Sequence, residues 1–392
     1  MLRIAKEELF NFPLKKIGIF GASGSIGKQA LSIIKDHSNK LKVEALCVNS
    51  SSDFLYEAVK EFHPRYVGIN FIKDNHPLIQ YCSLNNIQLF IGKDSASQII
   101  EISNLNIALN AIVGSIGLDI TLGLIGRCEI LALANKESLV VGGSLVQESM
   151  NNHSTKLIPV DSEHSAIYQC MLGEETDNLQ KVYLTGSGGP FLTRDLKTFN
   201  SITVEEAVNH PNWSMGQKIS VDSATMMNKA LEWIEAIRIF QIKPDQIEII
   251  IHPESIIHSM VEFVDGSYKA QLGSPDMRVA IQYALLGGER KNSSFPRLSF
   301  TEQLSYNFFP VDYNRFPILF LVKQWEKEGG NRIPIMSIAN DIVVGQFLKR
   351  EIRFVDIIPK VEKTVEKFAN NSSLTKEELA KLTSQIQHYL GV

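Results

Sequence analysis

Two acidic residues, Asp161 and Glu163, directly follow an apolar run at 157–160 that is typical of a buried strand. Alternate residues of an extended segment point to the same side, so both carboxylates can face one point. Carboxylate oxygens are suitable ligands for a hard divalent ion such as Mg²⁺ or Mn²⁺. A solvated acidic turn is the alternative interpretation.

A second cluster occupies residues 222–232, which we predict to open a helix. Asn228 and Glu232 are four residues apart, and Lys229 is on the same turn, so one helix face can present amide, ammonium and carboxylate groups. Ser223 is expected near the helix N-terminus, where anions are stabilised. The alternative is an amphipathic surface helix in which Lys229 and Glu232 form an exposed pair.

Two loops near this cluster also carry polar groups. The glycine-rich loop at 185–190 follows a predicted strand, and its backbone can form an anion-binding nest to which Ser187 adds a hydroxyl. The segment 210–218 contains Trp213 between proline and glycine residues, where it can close over a ligand and exclude water. The alternatives are a purely structural glycine loop and a tryptophan packed in the domain core.

The turn GASGSIG at 21–27 follows the first apolar run and precedes a helical pattern. That position predicts a dinucleotide-binding turn, in which the backbone and the helix N-terminus approach a pyrophosphate. A plain tight turn is the alternative. After the second apolar run come Asn49, Ser50 and Ser51, with no acid before Asp53. An acid there would bind the ribose 2′-hydroxyl and repel a 2′-phosphate, so these neutral residues favour NADP.

The elements that must position these groups follow an alternating pattern. We predict strands at 16–20, 43–48, 66–69, 88–91, 107–111 and 131–134, and a helix over 28–34. The alternation predicts an α/β chain with an N-terminal Rossmann-like doubly wound sheet. A change near residue 157 predicts a second, α+β domain with strands at 157–160 and 181–185. Residues 291–317 read as a connection, and helices follow from 318, the last one after a capping box at 375–378.

Composition limits the possible functions. The 392 residues suggest two or three domains, and the net charge of −4 without basic stripes argues against nucleic-acid binding. The four cysteines are far apart, which favours buried free thiols over a zinc site or a disulfide framework. We recognise no secretory signal in residues 1–16. Charged residues interrupt the apolar stretch 118–134, so we expect a cytoplasmic protein without a membrane span.

Segments in order along most of the chain resemble the 1-deoxy-D-xylulose-5-phosphate reductoisomerase family. They are GASGSIG at 21–27, ALANKESL at 132–139, PVDSEH at 159–164, LTGSGGPF at 184–191, residues 210–218, residues 222–232, HPESIIHS at 252–259 and SIAND at 337–341. The resemblance implies an NADPH-binding Rossmann-like domain at 1–156, a catalytic metal- and substrate-binding domain at 157–290, a connecting segment at 291–317 and a C-terminal helical domain at 318–392.

The resemblance also implies roles for individual residues. The ligands of a divalent ion (Mg²⁺, Mn²⁺ or Co²⁺) would be Asp161, Glu163 and Glu232, and these would form the catalytic set with Lys136 and His210. The substrate would contact Ser162, Glu163, Ser187, His210, Trp213, Ser223, Asn228, Lys229, Glu232 and Ser255. NADPH would contact Gly21, Ala22, Ser23, Gly24, Ser25, Ile26, Asn49, Ser50, Ser51, Asn135, Lys136, Glu137, Gly216 and Met277.

The implied reaction is the rearrangement and NADPH-dependent reduction of 1-deoxy-D-xylulose 5-phosphate to 2-C-methyl-D-erythritol 4-phosphate, in non-mevalonate isoprenoid biosynthesis. The family resemblance further implies a cytoplasmic homodimer that binds a small sugar phosphate and neither nucleic acid nor a membrane. Two features depart from the family pattern. Many members have a basic residue where this chain has Asn49, Ser50 and Ser51, and many have an uncharged amide where it has Glu254.

Two other functions fit fewer of these residues. A different NADP-dependent sugar-phosphate dehydrogenase of similar build would not need three metal-binding carboxylates. A catalytically inactive nucleotide sensor would not need them either, because like-charged carboxylates gathered in one site repel each other without a cation.

Overall fold

The computed structural model describes residues 14–114, 116–213, 215–301, 304–372 and 374–392. These residues form two compact units. The first comprises the described residues up to Ser138 together with Ser144–Tyr168 and Asp276–Pro296, and the second comprises Leu139–Gly143, Gln169–Pro275 and Arg297–Val392. The domain boundaries at 156, 290 and 317 stay predictions. The expectation that residues 1–13 carry no secretory signal lies outside the described residues.

A seven-stranded parallel sheet forms the centre of the first unit. In chain order its strands are β1 (Lys15–Phe20), β2 (Leu41–Val48), β3 (Tyr66–Ile69), β4 (Gln88–Ile91), β5 (Leu105–Asn110), β6 (Cys128–Leu133) and β7 (Lys156–Pro159). Their spatial order is β4-β3-β2-β1-β5-β6-β7. The order therefore reverses beside β1, which confirms the predicted doubly wound sheet.

Helices connect these parallel strands, as crossover connections require. They are α1 (Ser25–Asp36), α2 (Ser52–Phe62), α3 (Pro77–Leu84), α4 (Ser95–Ile102), α5 (Gly117–Leu124) and α6 (Lys136–Asn151); α7 (Ser162–Cys170) follows the last strand, and α11 (Met277–Leu285) returns to this unit. The predicted first helix is confirmed, because α1 buries Ala30, Leu31, Ile33 and Ile34 on one face.

One predicted strand belongs to a different sheet from the one expected. The run at 157–160 was assigned to the second domain, but β7 pairs in parallel with β6 and forms an edge of the first sheet. The strand follows α6 in the same way that the earlier strands follow their helices. The change in composition near residue 157 reflects the polar loops that come after this strand, and it does not mark the end of the sheet.

A four-stranded mixed sheet lies in the second unit. Its strands are β8 (Leu179–Gly186), β9 (Ile247–Ile251), β10 (Ile257–Phe263) and β11 (Tyr268–Leu272), in the spatial order β11-β10-β8-β9. Strand β10 runs antiparallel to β8 and β11, whereas β8 and β9 are parallel. The helices near this sheet are α8 (Val204–Val208), α9 (Gln217–Ala224) and α10 (Met227–Phe240).

The C-terminal part of the second unit is helical, as predicted. It contains α12 (Ile318–Glu328), α13 (Arg332–Leu348), α14 (Ile357–Phe368) and α15 (Lys376–Leu390). The predicted capping box is present, because Thr375 and Glu378 each accept a hydrogen bond from the other's backbone N–H. Within the described part of the chain, every helix is too short or too polar to cross a membrane.

Candidate active site

The glycine turn at 21–27 lies where the strand order of the first sheet reverses. Gly21 has a φ of 92°, and a Cβ on it would lie 2.6 Å from the carbonyl oxygen of Ala111, which follows β5. A Cβ on Gly27 would lie 2.5 Å from the carbonyl oxygen of Gly21. Only glycine fits both positions, so the turn is tight and helix α1 begins close to the end of β1. Ligands of open α/β sheets bind at such switch points.

The N–H groups of this turn divide into two sets. Those of Gly21 and Ala22 both donate to the carbonyl oxygen of Cys47 in β2 and hold the turn on the sheet. Gly24, the residue before α1, offers no side-chain cap to the helix. Ser25 and Ile26 are the first two residues of α1, so their N–H groups lie at the positive end of the helix dipole. A pyrophosphate is stabilised at that end.

The residues after β2 are exposed and neutral. The Asn49 side chain accepts a hydrogen bond from Asn70 Nδ2 at 3.0 Å, and Ser50 and Ser51 are exposed at the start of α2. Ser51 is the residue before the helix, but its hydroxyl makes no capping hydrogen bond. This part of the site offers hydroxyls and a helix N-terminus in place of a basic side chain.

Asn135 is tied into the first unit by several hydrogen bonds. It precedes α6, its Oδ1 accepts from Ser138 N at 2.9 Å, and its Nδ2 lies 2.8 Å from both Ile112 O and Glu137 Oε2. Both Asn135 and Glu137 are buried. These bonds fix the start of α6, on which Lys136 is the first residue.

Lys136 and His164 surround the carboxylate of Asp161. The Lys136 ammonium pairs with Oδ2, and His164 Nδ1 lies 3.0 Å from Oδ1. Burial raises the pKa of the Asp161 carboxyl, but Lys136 and His164 outweigh that effect and hold this pKa well below its usual range. The carboxylate is therefore ionised, and its side chain keeps 16% of its surface exposed. An ionised oxygen donor of this kind suits a divalent cation.

The segment around Asp161 is not extended, contrary to the prediction. Helix α7 begins at Ser162, so Glu163 is in its first turn. Asp161 Oδ1 accepts the N–H of Glu163 at 3.3 Å, and Ser162 donates its hydroxyl to the Glu163 carboxylate. A carboxylate before a helix satisfies N–H groups that would otherwise have no partner, which is why the helix starts here. Asp161, Ser162 and Glu163 are thus gathered by a helix start.

The segment 222–232 also differs from the single helix that was predicted. Asp222 and Ser223 lie near the C-terminal end of α9, and Met226, with a left-handed φ of 61°, separates α9 from α10. Ser223 is therefore not at a helix N-terminus. The left-handed residue redirects the chain, so α10 starts at Met227 with a new axis.

Asn228, Lys229 and Glu232 share one face of α10, as predicted, but this face is not a solvated surface. Glu232 is 1% exposed and Lys229 is 4% exposed. The Lys229 ammonium pairs with Glu232 Oε2, and Asn228 Nδ2 donates to Oε1. A buried carboxylate held by an ammonium and an amide contradicts the alternative of an exposed ion pair.

The glycine loop after β8 lies against these groups. A Cβ on Gly186 would lie 2.9 Å from Lys229 Cε, and a Cβ on Gly189, whose φ is 68°, would lie 2.6 Å from Ser223 O. The structure therefore brings the loop that carries Ser187 close to Ser223 and Lys229, three of the four residues predicted to bind phosphate. The loop needs glycine because of this close approach.

The remaining predicted substrate residues come from two neighbouring loops. Ser187 Oγ lies 3.1 Å from His210 Nε2, and Asn212 Nδ2 lies 3.0 Å from Ser255 Oγ. Trp213 is half-buried, and its ring centroid lies 6.2 Å from that of His258. Trp213 is therefore not a core residue.

The remaining predicted NADPH-binding residues and the predicted metal ligands are divided between the two units. Gly216 precedes α9 in the second unit, and Met277 is the first residue of α11 in the first unit. Of the three predicted metal ligands, Asp161 and Glu163 belong to the first unit and Glu232 to the second.

Several residues that form hydrogen bonds with predicted site residues, or with their neighbours, were not predicted from the sequence. His164 Nδ1 lies 3.0 Å from Asp161 Oδ1, and neither His164 nor Asn212 nor Asn340 had an assigned role. Asn340 on α13 donates to Asp222 Oδ1 at 2.8 Å. Both asparagines carried the same signal, because Asn212 lies in the segment 210–218 and Asn340 in SIAND at 337–341, two of the segments that resemble the family.

Comparisons with known proteins agree over nearly the whole chain. Family models match residues 17–143 (1-deoxy-D-xylulose 5-phosphate reductoisomerase), 157–240 (its C-terminal domain) and 272–389 (DXP reductoisomerase C-terminal domain). A 1-deoxy-D-xylulose 5-phosphate reductoisomerase of Clostridium botulinum (strain Alaska E43 / Type E3) is 42% identical over 381 residues, 96% of this chain and 99% of that protein. The chain belongs to the 1-deoxy-D-xylulose 5-phosphate reductoisomerase family. A relative in Bacteroides thetaiotaomicron is 43% identical over 355 residues, 91% of each protein.

Solved structures of this reductoisomerase family share the fold. The enzyme of Zymomonas mobilis in complex with NADPH has a TM-score of 0.89 at 37% identity, covering 96% of this chain and 98% of that one. A second structure, in complex with NADPH, fosmidomycin and magnesium, has a TM-score of 0.88 at 37% identity with the same coverage. The family resemblance recognised from the motifs is thereby confirmed.

Proposed function

We propose that this chain catalyses the rearrangement and NADPH-dependent reduction of 1-deoxy-D-xylulose 5-phosphate to 2-C-methyl-D-erythritol 4-phosphate. The observation that carries the proposal is the pairing of a predicted metal-binding carboxylate with a buried lysine in each unit, Asp161 with Lys136 and Glu232 with Lys229. Buried charges are costly and are kept ionised only when they are paired. Two such pairs, at positions that match the family motifs, support a site for a cation and a sugar phosphate.

Asp161, Glu163 and Glu232 are proposed to hold the divalent ion. Their carboxylate oxygens are the donors that Mg²⁺, Mn²⁺ and Co²⁺ accept, and the related structure that contains magnesium supports this choice. When bound, the ion supplies Lewis-acid polarisation of the substrate's carbonyl and hydroxyl oxygens. Lys136 pairs with Asp161 and Ser162 bonds to Glu163, and we assign to Lys136 and Ser162 the orientation of the substrate's oxygens.

The substrate's phosphate is proposed to lie against Ser187, Ser223, Asn228 and Lys229. Gly186 and Gly189 allow the loop that carries Ser187 to reach Lys229 and Ser223. The Lys229 ammonium and the hydroxyls suit a dianion. Binding energy from this phosphate, which is remote from the reacting carbons, can be used to position the substrate.

We assign the exclusion of water to the loop that contains His210 and Trp213, with Ser255 beside it. Trp213 is only half-buried in the protein, so part of its surface is available to a ligand. A covered site strengthens electrostatic contacts and protects the reacting oxygens from hydration.

NADPH, which supplies the hydride, is proposed to bind at the glycine turn and the start of α1. Ser23, Ser25 and Ile26 provide hydroxyl and N–H donors for its pyrophosphate, while Ser50 and Ser51 offer hydroxyls to a 2′-phosphate. The related NADPH complexes support this cofactor. Asn135, Glu137, Gly216 and Met277 are assigned to the nicotinamide half.

A homodimer in the cytoplasm, with a small sugar phosphate as its partner and neither nucleic acid nor a membrane, completes the proposal. The acidic net charge of −4 supports the exclusion of nucleic acid. Size-exclusion chromatography with light scattering tests the dimer directly.

NADPH absorbance followed with 1-deoxy-D-xylulose 5-phosphate and Mg²⁺ or Mn²⁺ tests the activity. We expect substrate-dependent oxidation that EDTA stops and that excess Mg²⁺ restores. Oxidation that is insensitive to EDTA would favour a different sugar-phosphate dehydrogenase. Folded protein that binds NADPH but never oxidises it would favour a sensor. A parallel assay with NADH measures how well Asn49, Ser50 and Ser51 select the 2′-phosphate.

A further inference from the structure

Asn212 makes two hydrogen bonds to a different loop from its own. Its Nδ2 donates to Pro253 O at 2.6 Å and to Ser255 Oγ at 3.0 Å. We propose that Asn212 is a positioning residue, which fastens the Trp213 loop (residues 209–213, 215 and 216) to the turn at 252–256. The consequence for catalysis rests on the proposed function, whereas the fastening itself does not.

The turn at 252–256 is a rigid anchor because His252 is bonded at both ring nitrogens. His252 is fully buried, and its Nε2 accepts the N–H groups of Ile256 at 3.2 Å and Ile257 at 3.1 Å. Nε2 therefore carries no proton. Nδ1 carries it and donates to Asn307 O at 2.9 Å, and Glu254 Oε2 lies 3.1 Å from the same nitrogen.

Two further bonds hold the anchor in place. His252 N donates to Gly186 O at 2.7 Å, and Ser255 N donates to His252 O at 3.1 Å. Ser255 has a left-handed φ of 54°, a conformation that a non-glycine residue keeps only where its surroundings impose it. The two acceptors of the Asn212 amide are therefore fixed in space.

The fastened loop in turn sets the tautomer of His210, that is, which of its two ring nitrogens carries the proton. Its Nδ1 accepts the N–H groups of Asn212 at 3.2 Å and Trp213 at 3.1 Å, so the proton is on Nε2. That proton is donated to Ser187 Oγ at 3.1 Å, and the same oxygen accepts the N–H of Gly189 at 3.1 Å.

Both lone pairs of the Ser187 hydroxyl are then occupied, so its hydrogen is directed elsewhere, towards a ligand oxygen. Asn212 thus acts at a distance: it holds the backbone N–H groups that fix His210, and His210 makes Ser187 a donor. A phosphate oxygen, which can only accept, is the group that such a donor recognises.

Asn212→Asp tests this role, because it keeps the shape of the side chain and replaces the donating amide with an acceptor. Asn209→Asp is the matched control: it makes the same change in the same loop, at an exposed side chain whose amide forms no hydrogen bond with any residue the structure describes. Asn212→Ser provides a smaller donor, for the case that the added charge disturbs folding.

Acrylamide quenching of tryptophan fluorescence measures the loop without substrate or cofactor. Trp233 and Trp325 are 1% and 4% exposed, so Trp213 dominates the quenched signal, and Trp213→Phe gives the background. We expect a larger quenching constant in Asn212→Asp and an unchanged one in Asn209→Asp. Equal quenching constants in Asn212→Asp and the wild type would overturn the proposal that Asn212 holds the Trp213 loop to the turn at 252–256. This outcome does not depend on whether the protein oxidises NADPH.

The second readout separates binding from chemistry. Loss of one net hydrogen bond corresponds to about a fivefold change in an equilibrium constant, so we expect Asn212→Asp to raise KM and the Ki of inorganic phosphate by about fivefold, with a smaller fall in kcat. A fall in kcat with unchanged KM and Ki would overturn the link to Ser187. If the wild type oxidises no NADPH, the proposed function fails while the quenching experiment still decides the fastening.

Discussion

Removing one charge of the buried pair on α10 provides a direct test of the site. Glu232 and Lys229 are 1% and 4% exposed, and Asn228 holds the other carboxylate oxygen. Glu232→Gln keeps the size of the side chain but removes the charge that the Lys229 ammonium contacts. Breaking a buried ion pair from one side costs about 3–5 kcal/mol. We therefore expect the free energy of unfolding, measured without metal, to fall by about 3 kcal/mol.

Lys229→Met should cost a similar amount, because it leaves the buried carboxylate without its ammonium. The double variant removes both charges, and replacing a buried pair with uncharged groups is often close to neutral. Its loss of stability should therefore be smaller than the sum of the single losses, which is about 6 kcal/mol, by a coupling free energy of at least about 3 kcal/mol, the upper end of the usual range.

Urea unfolding in EDTA, followed by circular dichroism, measures the free energy of unfolding of the wild type, the two single variants and the double variant. The exposed pair of Glu57 and Lys60 on α2 is a matched control, also three residues apart on a helix. Glu57→Gln should not change the urea midpoint measurably, because exposed pairs contribute little. If the two α10 variants add without coupling, or if Glu232→Gln behaves like Glu57→Gln, the reasoning from burial is refuted.

Three further predictions concern other parts of the chain. Asp161→Asn should reduce NADPH oxidation by at least about 100-fold while the NADPH dissociation constant, from fluorescence titration, stays unchanged; near-normal rates would exclude Asp161 from the metal site. Asn340→Ala removes the amide that donates to the buried Asp222 and should cost about 1–3 kcal/mol in urea unfolding, and an unchanged midpoint would contradict it. The four cysteines are buried, and burial raises the pKa of each thiol, so at pH 8 they stay protonated and should react with Ellman's reagent only after unfolding; prompt reaction of the native protein would count against this.

The first sheet could be predicted from sequence because its parallel strands are buried on both faces and appear as short apolar runs. The bounds of β3 and β4 match the predicted 66–69 and 88–91. Pairing could not be predicted in the same way. The run at 157–160 was recognised as a strand, but nothing in its composition tells whether β6 or a later strand is its neighbour.

The chemistry of the site was more predictable than its local geometry. The acidic pair was recognised, yet it was expected to be extended, whereas α7 begins between the two residues. A capping carboxylate explains that start, since Asp161 Oδ1 accepts the N–H of Glu163. Similarly, the break at Met226 depends on a left-handed backbone angle at a residue type that rarely adopts one, which sequence patterns do not indicate.

Two of the three predicted metal-binding carboxylates, Asp161 and Glu232, pair with a lysine that no motif predicted as their partner. A carboxylate that binds a cation must be ionised, and the protein must fold with that charge in place before the cation binds. Burial disfavours the charged form of the carboxylate. Lys136, 25 residues from Asp161 in sequence, and Lys229, one helical turn from Glu232, supply the compensating charge. The second pair is visible as an i,i+3 spacing, but the first exists only because β6 and β7 are neighbours in the sheet and bring the starts of α6 and α7 together. A metal site predicted from carboxylates alone therefore names the proposed ligands and omits the lysines that pair with two of them, Asp161 and Glu232.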